Sequence, residues 1–163
     1  MEFIEKLTTK KGTIGENIVK SFLQNKGWIT YSPDLKNKAH YFDMLATKDK
    51  MEVIAVDVKT KARLNKWNAQ GIDLRHYKEY MQFVNTTNIP FFLFFIDDKC
   101  GDVHCADLSK LTNFFLIPKK QENQPDIIAF YLKDMKKVFQ LNAVQIKELS
   151  AFDCRNYSYC PEP

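Results

Sequence analysis

The sequence lacks an apolar run long enough to cross a membrane, and no signal-peptide core follows Met1. Its longest apolar stretch, Ile89 to Ile96, contains Pro90 and has the length of a buried strand. A soluble, intracellular protein of the cytoplasm is therefore expected. Its four cysteines would then be thiols and not a disulfide framework. Cys100, Cys105, Cys154 and Cys160, taken with His104, also lack a paired C-x-x-C spacing, so zinc is not expected. Cys105 falls in a predicted strand, where a buried thiol is ordinary. No internal repeat, heptad or second domain is discernible, and 163 residues suit one domain with a core of its own. Charge of neither sign dominates, the net value being +4 with a pI near 8.8. With so mild an excess, where the basic residues fall matters more than their number.

What is present centres on Met51 to Lys59, an apolar, β-branched run that turns charged at its C-terminal end. Strand side chains alternate faces, so Asp57 and Lys59 project from one face, about 7 Å apart along the strand. Val53 and Ala55 share that face, and Ile54, Val56 and Val58 take the other. This pattern predicts a central strand covered on both sides, with an acid and a base where it leaves the core.

Before it, a helix is predicted from Gly12, after a charged lead-in through Lys11. Ile14, Ile18 and Phe22 form its apolar stripe, widened by Val19 and Leu23, and Gly27 is its stop. Glu16 lies at the edge of that buried face. Trp28 to Tyr31 is a short strand, followed by a polar loop to Lys38. His40 to Ala46 reads as another strand, in which Asp43 interrupts a hydrophobic run at an energetic cost if unpaired. The turn Thr47 to Lys50 makes an antiparallel hairpin with the central strand. A turn centred on Asp49 puts Asp43 opposite Ala55; one centred on Lys50 pairs it directly with Asp57. In either case two carboxylates come within reach of one ion.

After Lys59, the residues Lys61, Arg63, Lys66 and Trp67 form a basic, ragged segment suited to phosphates and to stacking on a base. Asp73 is placed to cap a helix whose stripe is Leu74, Tyr77, Met81 and Val84, with Arg75 and His76 in its anion-attracting first turn. Tyr77 and Tyr80 read as structural, and His76 as a surface residue. Pro90 to Ile96 is an interior strand, and Val103 to Ala106 its hairpin partner. A short helix is predicted through Leu111 and Phe114, a surface loop from Lys119 to Asp126, a hairpin of Ile127 to Leu132 with Val138 to Leu141, and a helix from Val144 to Leu149.

The order helix, three strands, basic segment, helix, strand, with Glu16, Asp43, Asp57 and Lys59 at these points, resembles the PD-(D/E)XK nuclease superfamily, which includes archaeal-type Holliday-junction resolvases. The resemblance spans about Gly12 to Ile96, and Phe42 stands where the motif name has proline. It implies an α/β, restriction-endonuclease-like fold, a central mixed β-sheet flanked by helices. It also implies that Glu16, Asp43 and Asp57 bind Mg2+ or Mn2+ and that Lys59 orients or activates water, with Lys61 as a substitute. Many enzymes of this resemblance act as dimers, which makes a homodimer one implied arrangement, with the aromatic C-terminal third as its interface.

Magnesium prefers oxygen ligands and is ordinarily held by one or two carboxylates, waters and a substrate phosphate. Such a centre hydrolyses phosphodiesters, and the reading that follows is a metal-dependent DNA nuclease, structure-specific toward a junction or flap. Lys61, Arg63, Lys66, Trp67 and Arg75 would grip the strand. The competing reading is a catalytically silent nucleic-acid-binding or partner-binding module of the same fold. Asp-x-Lys at a strand end is by itself a common surface ion pair, and Glu16 has Lys20 available at i+4. Against decay stands the expense of burying these charges with nothing to serve.

Overall fold

The computed structural model describes residues 7–33, 40–49, 52–118 and 124–152, with Leu7 and Thr8 as backbone alone. The expected loop through 34–38, Lys50 and Met51 of the hairpin, residues 119–123, and Cys154 and Cys160 lie outside the described residues. Among the described residues, no helix is long and apolar enough to cross a membrane.

The first helix, α1, runs Leu7–Asn25. It starts earlier than the stripe from Gly12 suggested, because Lys11 at its first turns is held by a buried ion pair to Asp98. Gly27, in the left-handed region at φ 86°, ends it as expected. Then follow β1 (Ile29–Tyr31), β2 (Met44–Lys48) and β3 (Glu52–Thr60). β2 begins at Met44, not His40, since the Asp43 carboxylate itself accepts the Val58 N–H at 2.7 Å and takes the place of a ladder bond. Met44 lies opposite Val56, which sets Asp43 level with Asp57, the register of a turn centred on Lys50.

β3 is central. β2 pairs with it antiparallel and β5 (Phe91–Ile96) parallel, within a six-stranded mixed sheet of order β1-β2-β3-β5-β6-β9. β6 is Asp102–Asp107 and β9 is Lys136–Gln140. The parallel step requires a crossover, made by β4 (Ala69–Asp73) and α2 (Leu74–Thr87). β4 was not expected: Ala-Gln-Gly-Ile-Asp has no apolar alternation, and it forms because β8 (Ile127–Tyr131) pairs with it.

That pairing corrects two further expectations. β8 and β9 are not a hairpin, for β8 sits in a separate three-stranded sheet of order β4-β8-β7. β7 is Phe114–Ile117, so Phe114 opens a strand, and only a single 3-10 turn at Leu108–Lys110 precedes it. The final helix, α3, is Ala143–Ser150, capped by Asn142 and Gln145 in a reciprocal box.

Two apolar clusters cover the faces of the large sheet. Ile54, Val56, Val58, Phe94 and Ile96 face α1 and α3, while Ala55, Leu93 and Phe95 face α2 and the small sheet. Ala55, Val56, Leu93 and Phe95 are fully buried. Each large apolar side chain among them contributes roughly 1.5–3 kcal/mol, which anchors the strand whose end is charged. Coverage is incomplete at the start of β3, where Val53 is 43% exposed, and at the edge strand β1, where Ile29 and Tyr31 are exposed.

Candidate active site

Asp57 and Lys59 extend from the face of β3 that carries Ala55, toward α2. Alternation dictates this, and burial of the flanking residues fixes it. Asp57 is only 4% exposed, and its Oδ2 lies 2.8 Å from Lys59 Nζ in an ion pair whose direction falls short of a hydrogen bond. A buried carboxylate oxygen is thus left without a hydrogen bond at the end of the central strand.

Asp43 enters from the start of β2 and Glu16 from α1. Gly15 brings Glu16 close: a Cβ at that position would overlap the Thr60 hydroxyl and crowd Ile96, so only glycine lets α1 press onto the end of β3. Glu16 makes no ion pair with Lys20 among the described residues. Instead it feels the site: burial and then the charge of Asp57 raise its pKa, and Lys59 partly offsets them. Asp43 responds more strongly. Burial, then repulsion from Asp57 and Glu16, pushes it up to about 8, against the opposing pull of Lys59 and the Val58 N–H. Burial alone would lower Lys59, yet its attraction to Asp57 first, and then its interactions with Tyr80 and Asp43, outweigh that and raise it. Lys59 is therefore a fixed cation here.

Tyr80, expected to be structural, is more than that. Its ring is buried, stacks on Phe91 at 4.6 Å and lies under Lys59 at 5.8 Å. Burial, followed by the Asp57 charge, raises the pKa of its hydroxyl, and Lys59 partly offsets them, so that hydroxyl lies beside both charged groups. A second aromatic, His76, stacks on it at 6.2 Å and is half-buried, not the surface residue expected. Phe42, at the position of the motif proline, packs edge-on against Phe83 at 5.4 Å.

The four residues of the motif thus come together, from α1, β2 and β3. The five residues expected to grip the strand do not all follow. Lys61 lies past the end of β3 at Thr60, so its face is no longer set by alternation; its N–H donates to Ile96 and its carbonyl accepts from the buried Gln70. Arg63 is turned into the protein. It donates to the carboxylates of Asp97 and Asp102 and to Cys100, and Lys137 completes the cluster at Asp102. Asp97 is 2% exposed, so this arginine buttresses the turn after β5. Lys66 and Trp67 occupy a 3-10 turn at Asn65–Trp67, with Lys66 Nζ 5.0 Å from the indole. Arg75 projects from the first turn of α2, 3.8 Å from Asp73, whose side chain caps nothing.

The donor set suits a hard divalent cation: carboxylate oxygens, one of them buried without a hydrogen bond, packed so that they repel one another. No group of three histidine, cysteine or acidic side chains among the described residues is drawn close enough to cage a metal. The fit is therefore to an ion taking one or two carboxylates, the pattern usual for magnesium, and not to an all-protein cage.

No family model and no curated protein matches the sequence. Among solved structures the chain is similar to Hjc, a Holliday junction resolvase from the hyperthermophilic archaeon Archaeoglobus fulgidus. The TM-score is 0.51 at 12% identity, over 72% of this chain and 86% of that one. It is also similar to D212, a nuclease from a fusselovirus, with a TM-score of 0.46 at 11% identity, over 86% and 89% of the two chains. The likeness to the resolvase establishes the fold: this chain has the restriction-endonuclease-like architecture, a central mixed sheet with flanking helices.

Proposed function

We propose that this protein is a metal-dependent nuclease that hydrolyses phosphodiester bonds in DNA. The observation that supports this most is the convergence of Glu16, Asp43, Asp57 and Lys59, carried by three separate elements, at the end of one buried strand. Repelling carboxylates in a half-buried site are expensive, and a cation is what relieves them. Asp57 and Asp43 would hold that cation, with Glu16 at the rim. When bound, magnesium or manganese supplies charge neutralisation at the phosphate and acidity to a coordinated water.

The chain's own groups divide the remaining work. Lys59, kept protonated by its neighbours, does not take a proton near neutral pH; it offers a cation and N–H donors to charge developing on the phosphate. Tyr80 holds Lys59 and Asp57 in place from below. Lys66 and Arg75, both exposed, are placed to meet backbone phosphates farther along the strand. The activity named for the resolvase of the same fold makes branched DNA the substrate form to try first.

The test is cleavage of end-labelled duplex, single strand, flap and four-way junction with magnesium, manganese or chelator. Wild type is compared with Asp57→Asn and Lys59→Gln, both checked for folding by circular dichroism. Metal-dependent cutting that both substitutions abolish would support the reading, and the best-cut form would name the subclass. Binding without cutting in any metal would sink it and favour a silent binding module.

A further inference from the structure

The small sheet carries an aromatic row that the chemistry at β3 does not use. Register separates its two faces. Phe114 lies opposite Phe130 and Leu116 opposite Ile128, on the side of the buried cluster, while Phe115, Ala129, Tyr131, Ala69 and Gly71 share the other side. On that outer side the residues of β4 are small, and Trp67 from the preceding turn leans across them. Trp67 and Phe115 have ring centroids 5.5 Å apart at 52°, and Phe115 and Tyr131 are 5.1 Å apart at 40°. All three rings are half-buried, so each keeps an outward edge or face.

A lysine closes each end of the row. Lys66 Nζ lies 5.0 Å from the Trp67 ring and Lys133 Nζ 5.3 Å from the Tyr131 ring. Both side chains are exposed, and neither is ion-paired with a described residue. The acid beside Lys133, Asp134, is engaged instead by Asn113. Cation–π contact at an exposed site is worth only about 0.5–1 kcal/mol, too little to account for two ammonium groups stationed over one aromatic row. Aromatic rings that accept any base by stacking, flanked by cations for the backbone, are the working parts of a single-strand binding surface. Trp67 is eight residues past Lys59 of the proposed site, which limits their Cα separation to about 28 Å.

From this we infer that Trp67, Phe115 and Tyr131 form a stacking platform for unpaired bases, with Lys66 and Lys133 holding the phosphates on either side. The substrate of the proposed nuclease then carries a single-stranded DNA segment. The inference rests on the nuclease reading for its purpose but not for its binding, and the two are tested apart.

Binding is measured on the full chain in chelator, where no cutting interferes. The chain has two tryptophans, Trp28 and Trp67, and Trp28→Phe leaves Trp67 as the sole reporter. An oligothymidylate of about a dozen nucleotides, within the usual range for such surfaces, is compared with an abasic strand of equal length. The expected result is quenching of Trp67 by the oligothymidylate and at least about ten-fold tighter binding than of the abasic strand. Tyr131→Ala should weaken the oligothymidylate by about ten-fold and the abasic strand hardly at all. Lys66→Gln with Lys133→Gln, two exposed changes that spare the fold, should weaken both strands and flatten the salt dependence by about 1.4 for two phosphates. Equal binding of the two strands, or binding that leaves Trp67 emission unchanged, would overturn the platform, whatever the cleavage assay returns. Base-dependent quenching in a protein that never cuts would keep the platform and reject the nuclease.

Discussion

Asp43→Asn is expected to stabilise the metal-free protein at neutral and higher pH, and not in acid. In the folded chain burial and the charges of Asp57 and Glu16 push Asp43 up to about 8, from an ordinary value of 3.8. The folded state therefore binds the proton more tightly than the unfolded state does. Stability from this group is fully present below about pH 4, falls as the pH rises, and levels off above about pH 8. Each pH step between those limits costs about 1.4 kcal/mol, which comes to about 4 kcal/mol at pH 7. Local relaxation reduces such figures, and single substitutions seldom exceed about 4 kcal/mol, so a gain of about 2–4 kcal/mol is expected. Asparagine keeps the one structural bond involved, since its carbonyl oxygen still accepts the Val58 N–H. The assay is urea unfolding in chelator at pH 4.5, 6, 7 and 8. The gain should grow from near zero at the lowest pH to its full size at the highest, about 1–2 M in the midpoint at pH 7. A gain independent of pH would mean that packing and not protonation is at work, and a wild-type stability flat from pH 5 to 8 would refute the crowded-carboxylate account altogether. Magnesium should then stabilise the wild type and not the variant, since it relieves a repulsion that the variant has already lost.

Three further substitutions separate the site from its frame. Tyr80→Phe keeps the ring stacked on Phe91 and removes the hydroxyl facing Asp57 and Lys59; kcat for DNA cleavage should fall about ten-fold with KM and the urea midpoint little changed. An equal fall in stability would return Tyr80 to the structural role its helix position suggested. Gly15→Ala drives a methyl into the Thr60 hydroxyl and should cost about 1–3 kcal/mol in unfolding experiments, with partial recovery in the pair Gly15→Ala, Thr60→Ala. Arg63→Gln leaves Asp97 buried without its strongest partner and should cost about 3 kcal/mol, while the salt dependence of DNA binding stays as in the wild type. A reduced salt slope would restore Arg63 to the set of phosphate contacts.

How far the chain could be read in advance differs from one segment to the next for a physical reason. β3 was legible because its apolar positions are set by burial on two faces, and a strand in that position has little freedom in what it places at its end. β5 and α2 followed from the same kind of signal. β4 was not legible: Ala69, Gln70 and Gly71 satisfy no amphipathic pattern, and they are buried because β8, some sixty residues on, pairs with them. Nonlocal pairing of this kind leaves no local trace. The error at β8 and β9 has the same root, as adjacent strands with a short connection ordinarily pair, and here they enter different sheets.

The basic segment and Tyr80 mark a second limit, that of telling what a side chain is for. Arg63, Lys66 and Trp67 stand close together in sequence and look alike as phosphate and base contacts, yet the buried Asp97 after β5 and the half-buried Asp102 that opens β6 claim Arg63. Tyr80 lies in the same apolar stripe as Tyr77, and helical spacing cannot distinguish them. Tyr77 meets Phe114 and Phe130 of the small sheet; Tyr80, less than one turn farther, meets the end of β3. The difference arises from where β3 stops being apolar, because a tyrosine packed over Ala55 and Leu93 reaches with its hydroxyl the first charged residue beyond them. A stripe position thus gains a polar task from the neighbour at its tip. Any core tyrosine that packs across the end of a strand closing on an acid and a lysine is, by the same geometry, a candidate for the site and not for the core alone.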